Sequence, residues 1–170
     1  MLRLVFISVI WVIAYHKSDW RNWQKFHPTI LFMIVGNLLV GLITYEYSLW
    51  DLSSELGGHI TNDLILSFLF FPPAMLLFLS HYPVSKHMLK KYIYLIRWAL
   101  LFTLIEGVEL VFDNVNYEHG WDIWKSAFVN LGMFPVLVLH QTRPLFAYGL
   151  FFLEIVLLIT IVDIPISSLK

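Results

Sequence analysis

The sequence predicts an all-α, polytopic transmembrane helix bundle of six helices, or five if the first only lies at the membrane interface. Three observations predict it. Hydrophobic residues make up 59% of the 170 positions, and the mean hydropathy is +0.74. Charged residues are 14%, against about 25% in an ordinary soluble domain, and a soluble chain of this size has too little interior for so much apolar surface. The apolar residues also fall in long runs, and a bilayer of about 30 Å of hydrocarbon is crossed by about 20 of them in a helix.

The runs lie at 2–15, 29–45, 64–80, 92–112, 123–140 and 145–164. Short polar loops separate them, so the chain reads as one transmembrane domain over 1–170. The first run has one basic residue, Arg3, ahead of its apolar stretch, as a signal peptide does. Ala14-Tyr15-His16 lacks the small residues of a cleavage site, so an uncleaved first span is expected. Its roughly 14 apolar residues make only about 21 Å of helix, and an interfacial helix is the alternative. Pro28 and Pro144 are expected to start helices, where a missing N–H costs nothing. Pro72-Pro73 in the third run and Pro135 in the fifth should kink or unwind theirs. The carbonyls freed by the double proline should then face protein and not lipid.

Orientation follows from Lys and Arg. The first loop holds Lys17, Arg21 and Lys25, the third Lys86, Lys90 and Lys91 with Arg97 just beyond, and the fifth Arg143. These are eight of the eleven basic residues. Glu46, Asp51, Glu55 and Asp63 mark the second loop, and Asp113 and Glu118 the fourth. The odd-numbered loops are therefore expected in the cytoplasm, with the N- and C-termini outside. Trp20, Trp23, Trp50, Trp121 and Trp124 fall at run ends, where an amphipathic ring gains from both phases.

Asn37, Glu106, Glu109, Asn130 and Glu154 fall within runs. A carboxylate there is costly, by about 2.5 kcal/mol or more on insertion scales, so each is expected to face other helices or a wet cavity. Glu106, Glu109 and Asp113 are spaced i, i+3, i+7 and share a helix face. Ser126 and Asn130 are i, i+4 on another. His119 follows the acidic face and His59 lies in the other acidic loop. With Glu106 and Asp113 they offer zinc-type ligand chemistry, but their spacing is no metal signature, and solvated or helix-capping imidazoles are the expectation. His81, His87 and His140 are expected at the cytoplasmic boundary, facing headgroups. The candidate functional residues are thus Glu106, Glu109, Asp113, His119, Asn130 and Glu154. No metal site or cofactor is expected.

The chain has no cysteine, which excludes disulfides and thiolate chemistry. A net charge of -1 and the lack of a basic patch point away from nucleic acid. No nucleophile elbow or phosphate-binding glycine loop is present.

Several stretches carry a family likeness together: Trp20-Arg21-Asn22-Trp23-Gln24-Lys25-Phe26-His27-Pro28-Thr29, the stretch 45–50, His119-Gly120-Trp121, Asn130-Leu131-Gly132-Met133-Phe134, His140 and Pro144-Leu145. From about Trp20 to Leu150 the chain resembles a family of small multi-pass membrane proteins of spore-forming Gram-positive bacteria. The resemblance implies a multi-pass location in the cell membrane and no particular chemistry. It directs attention to Pro28, Glu106, His119, Trp121, Asn130 and His140.

Three functions follow as expectations. The leading one is a structural or accessory membrane component, not an enzyme, with the lipid bilayer and a helix–helix partner or second copy as its company. The alternative is a small proton or cation transporter or channel that uses Glu106. The third is a membrane enzyme with an outer-surface Glu106, Asp113 and His119 site. Convergence of Glu106, Glu154, Asn37 and Asn130 on one cavity favours transport, and their dispersal favours the structural reading. The basic bias also makes a direct prediction. Accessibility tags near Lys90 and Arg143 should report the cytoplasm and tags near Glu55 and Glu118 the exterior; a Lys86–Lys91 loop found outside overturns the orientation.

Overall fold

The computed structural model describes residues 2–51 and 58–165. Among them the chain forms six helical rods: α1 (Leu2–Lys17), α2 (Trp23–Ile43), a compound rod of α3 (His59–Ile65) and α4 (Phe71–His81), α5 (Met88–Val111), α6 (Ile123–His140) and α7 (Pro144–Val162). Four of the rods are long and apolar enough to cross a membrane: α2 with its lead-in, α3–α4, α6 and α7. Of the other two, α1 has 16 residues, and α5 has 24 but carries Lys90, Lys91, Arg97, Glu106 and Glu109. Glu55 lies outside the described residues, as does the side chain of His59.

The first helix stands along the α3–α4 rod from end to end. Arg3 Nη1 donates to Asn62 Oδ1 at 2.8 Å, Trp11 Nε1 to the Leu69 carbonyl at 2.8 Å, and the Asp19 N–H to Ser80 Oγ at 3.1 Å. At 1.5 Å per residue α1 is about 24 Å long. The next rod, α5, packs antiparallel on α6, with Glu106 beside Ser126, Thr103 beside Asn130 and Trp98 beside Phe134. The connections α1–α2, α4–α5 and α6–α7 gather at one end of the bundle, where Lys17, Arg21, Lys25, Lys86, Lys90, Lys91 and Arg143 lie. At the other end, β1 (Trp50–Asp51) pairs antiparallel with β2 (Asn116–Tyr117), joining the α2–α3 and α5–α6 connections in a two-stranded ribbon.

Aromatic rings fill the centre. Phe78 and Phe134 are fully buried, with ring centroids 4.8 Å apart. Phe78 also meets Tyr94 and Trp98, and Phe134 meets Phe102 at 5.1 Å. Ala14, Ala74 and Ala147 have no exposed surface. Small residues at such contacts let helix backbones approach, which replaces the hydrophobic drive missing in lipid.

The prolines depart from expectation in informative ways. Pro144 does open α7. Pro28 does not open α2, which starts five residues earlier at Trp23, after a 3₁₀ turn at Trp20–Asn22. Pro28 therefore sits inside a helix that its neighbours support. The Pro135 position likewise leaves α6 unbroken. At Pro72-Pro73 the chain is not unwound. It passes through a π-helical turn, Leu66–Phe70, and the prolines follow at once in the first turn of α4. Pro73 would have donated to Leu69, and that freed carbonyl is the one taken by the Trp11 indole. That carbonyl is met by a side chain of α1, and both residues lie at the exposed surface of the helices.

This arrangement makes Trp11 a substitute for the missing backbone donor. Trp11→Phe should lower the unfolding free energy in detergent by about 1–3 kcal/mol, the cost of an unsatisfied acceptor that water does not reach. In a Pro73→Ala background, where an N–H can reach Leu69 within the helix, the same change should cost less. Equal losses in both backgrounds contradict the assignment.

Candidate functional site

Two polar clusters and one cavity organise the candidate residues. The first cluster lies between α5, α6 and the ribbon. Glu106 Oε1 accepts from the Tyr117 hydroxyl at 2.8 Å and from Ser126 Oγ at 2.5 Å. Ser126 Oγ in turn accepts from Trp121 Nε1 at 2.8 Å. The chain Trp121–Ser126–Glu106–Tyr117 thus ties loop, helix and strand together. Burial raises the Tyr117 phenol well above its ordinary value, so it stays a donor. One turn deeper, Asn130 Nδ2 donates to Thr103 Oγ1 at 3.2 Å. Ser126 and Asn130 do share a face, and it is the face toward α5.

The second cluster centres on Arg3. Its guanidinium donates to Asn62 Oδ1, to Glu109 Oε2 at 3.3 Å and to the Asn114 carbonyl at 3.1 Å. The Arg3 and Glu109 side chains are only 8% and 7% exposed, and Asn62 is fully buried. Arg3 is legible as the one basic residue ahead of the first apolar run, but nothing local marks its partners. Asn62 lay in a polar loop and carried no signal at all.

The acidic face on α5 therefore does not act as one site. Glu106 turns to α6 and the ribbon, and Glu109 to Arg3 of α1. Asp113 lies past the helix end with φ 56°, in the left-handed region. There the Asp113 N–H reaches the Leu110 carbonyl and the Asn114 N–H the Glu109 carbonyl. Asp113 thus terminates α5, a conformation that Asp tolerates better than most residues. His119 is also left-handed, at φ 49°. Its ring stacks on Tyr47 at 3.7 Å, and its Nδ1–H donates to the Ser48 carbonyl at 2.7 Å. It clamps the two loops together beside the ribbon. Among the described residues, no three of His, Asp and Glu come together to hold a metal ion.

At the basic end, His140 departs from its expected headgroup-facing position. It is 7% exposed, stacked on Phe32 at 4.3 Å, and shares a 3.0 Å hydrogen bond with the buried Thr29. Trp121 also departs from the interfacial belt: it is buried against Leu49, Val162 and Ile164. Trp23 and Trp124 remain exposed, as a belt residue should. At the start of α6, Asp122 caps the helix by accepting from the Trp124 and Lys125 N–H groups. The Lys125 side chain on the Asp122 carboxylate holds its pKa below the ordinary aspartate value. That depressed value means the cap is complete above the ordinary value and is lost as pH falls through the lower one.

The cavity is a cleft of about 370 Å³ with α6 as its floor and α2 and α7 as its walls. Phe32, Phe151 and Val136 line it toward the basic end, and Trp50, Trp121 and Lys125 toward the ribbon. Glu154 and Asn37 reach it at mid-height. Asn37 is engaged, donating to the buried Ser67 Oγ of the π turn at 3.0 Å. Glu154 rests against Gly132, where an added Cβ would lie 2.6 Å from its Oε1. So Glu106 and Asn130 meet at one helix interface, while Asn37 and Glu154 line the cleft.

The chain matches no protein-family model, no curated protein and no solved structure.

Ser126 is the shared atom of the first cluster. Ser126→Ala should strand the Trp121 indole and remove one of the two donors to Glu106. The expected loss of unfolding free energy is about 1–3 kcal/mol. Tyr117→Phe should couple to it non-additively, because both hydroxyls serve one carboxyl oxygen. Simple additivity, measured in a double-mutant cycle, rejects the shared network.

Proposed function

We propose that this chain is a six-span protein of the cell membrane, with N- and C-termini outside, that acts as a structural or accessory component and not as an enzyme. The observation that carries the reading is that Glu106, the leading candidate for proton or cation chemistry, is held by Tyr117 and Ser126 at a helix–loop interface. Glu109 is ion-paired in a separate cluster. Asn130 and Asn37 each hydrogen-bond a hydroxyl of a neighbouring helical segment. Dispersal of this kind suits groups that hold helices together.

The span count is supported by α1 standing along the full length of a rod that is itself long and apolar enough to cross, and by α5 lying along α6. The proposed orientation is supported by the charges. Of the three basic residues outside the cytoplasmic set, Arg3 pairs with Glu109 and Lys125 with Asp122. The likeness to small multi-pass proteins of spore-forming Gram-positive bacteria fits the same reading.

Glu106→Gln keeps the acceptor oxygen for Tyr117 and Ser126 and removes only the titrating proton. It should fold in wild-type yield, melt within a few degrees of wild type, and restore a deletion strain. In proteoliposomes, proton and cation flux should equal that of empty vesicles for wild type and variant alike. Glu106→Lys should lower folded yield, since two donors and a cation then face each other. A well-folded Gln variant that reproduces the deletion phenotype overturns the structural reading.

A further inference from the structure

We infer that the cleft between α2, α6 and α7 is a binding site for a lipophilic organic cation, with Glu154 as its counter-charge. Three observations converge on that chemistry. First, the volume of about 370 Å³ lies within the range of small-molecule sites, roughly 300–1,000 Å³. Second, the walls are apolar and rich in rings, with Phe32 and Phe151 inside, Phe128 at the open rim and Trp50 and Trp121 at the ribbon end. Aromatic faces attract a cation through the ring quadrupole, and more strongly when it is desolvated.

The third observation is the charge balance of the lining. Glu154 and Lys125 are its two ionisable groups. Lys125 is already occupied: its ammonium donates to Asp122 Oδ2 at 2.8 Å and to the Gly120 carbonyl at 2.5 Å. The Glu154 carboxyl, at mid-height, has no hydrogen-bond or charge partner among the described residues. It contrasts with Glu106, held by Tyr117 and Ser126, and with Glu109, whose Oε2 is paired with Arg3 while its Oε1 has no partner. A carboxyl in apolar surroundings demands a donor or a cation. A plain hydrocarbon chain supplies neither, and an anionic amphiphile is repelled. A compact alkylammonium group with an apolar tail satisfies both the carboxylate and the rings. Gly132 is part of the site: because it lacks a Cβ, the carboxyl can lie against α6.

The test uses the full chain in lipid nanodiscs and hexyltrimethylammonium as the probe. Titration calorimetry is corrected with lipid-only discs. One saturable site per chain is expected. Glu154→Gln should weaken it at least about tenfold, the scale of one desolvated charge pair. Gly132→Ala, whose methyl displaces the carboxyl without removing it, should also weaken it. The uncharged isostere 2,2-dimethyloctane should not displace the probe. Melting temperatures report whether each variant is folded, and the isostere competition on wild-type protein decides the matter if Glu154→Gln does not fold. Absence of saturable binding to folded wild type, equal affinity in a folded Gln variant, or displacement by the isostere overturns the proposal; the last outcome would mark a groove for lipid tails.

Discussion

In the hydrocarbon of a bilayer no water completes a hydrogen bond, so every polar group placed there must find its partner within the protein. Polar groups buried between the helices of this fold meet the same requirement, because an unpaired buried polar group is costly wherever water is excluded. Arg3 is the clearest case: a guanidinium in an otherwise apolar helix, met by Asn62, Glu109 and the Asn114 carbonyl. Those partners come from α3, α5 and the turn that follows α5. One side chain therefore fixes where the end of α1 sits relative to two other rods. The Trp11 indole does the same at mid-height by taking the carbonyl that Pro73 leaves free.

The ribbon end extends this logic beyond the membrane-spanning helices. Two short strands, the His119–Tyr47 stack and the Trp121 indole bind the long connections into a cap. Tyr117 belongs to both the strand and the Glu106 cluster, so the cap and the α5–α6 interface are one mechanical unit. Burial of Leu49 and Trp121 against the end of α7 anchors the cap on the far side. Glu154 stands apart from all of this. It lines a cleft where α2 and α7 are splayed, and Gly132 makes room for it on α6.

The helical class was legible because hydropathy and length act locally. The run at 123–140 coincides with α6, since Asp122 caps its start and Thr142-Arg143-Pro144 ends it. Boundaries were less legible where tertiary contacts extend a helix. Pro28 signals a start by local rules, yet α2 begins at Trp23 because the preceding 3₁₀ turn is held by the Trp20 indole on the Ala14 carbonyl. The candidate site was legible as a set of residue types but not as a set of pairs. The i, i+3, i+7 spacing put Glu106, Glu109 and Asp113 on one face, but each sits at a different depth and meets a different neighbour. Tyr117 and Ser126 lie 11 and 20 positions from Glu106, and Arg3 lies 106 from Glu109; such pairing across the chain has no local pattern.

In this fold, polar side chains buried between helices act as paired ties, and the Arg3–Glu109 pair offers the sharpest test. Arg3→Met, Glu109→Gln and the double variant are compared by unfolding free energy in detergent micelles. Each single change should cost about 3–5 kcal/mol, because it leaves one buried charge uncompensated. The double variant should lose far less than the sum. Near-silent single changes, or a double variant that loses the full sum, would contradict the account.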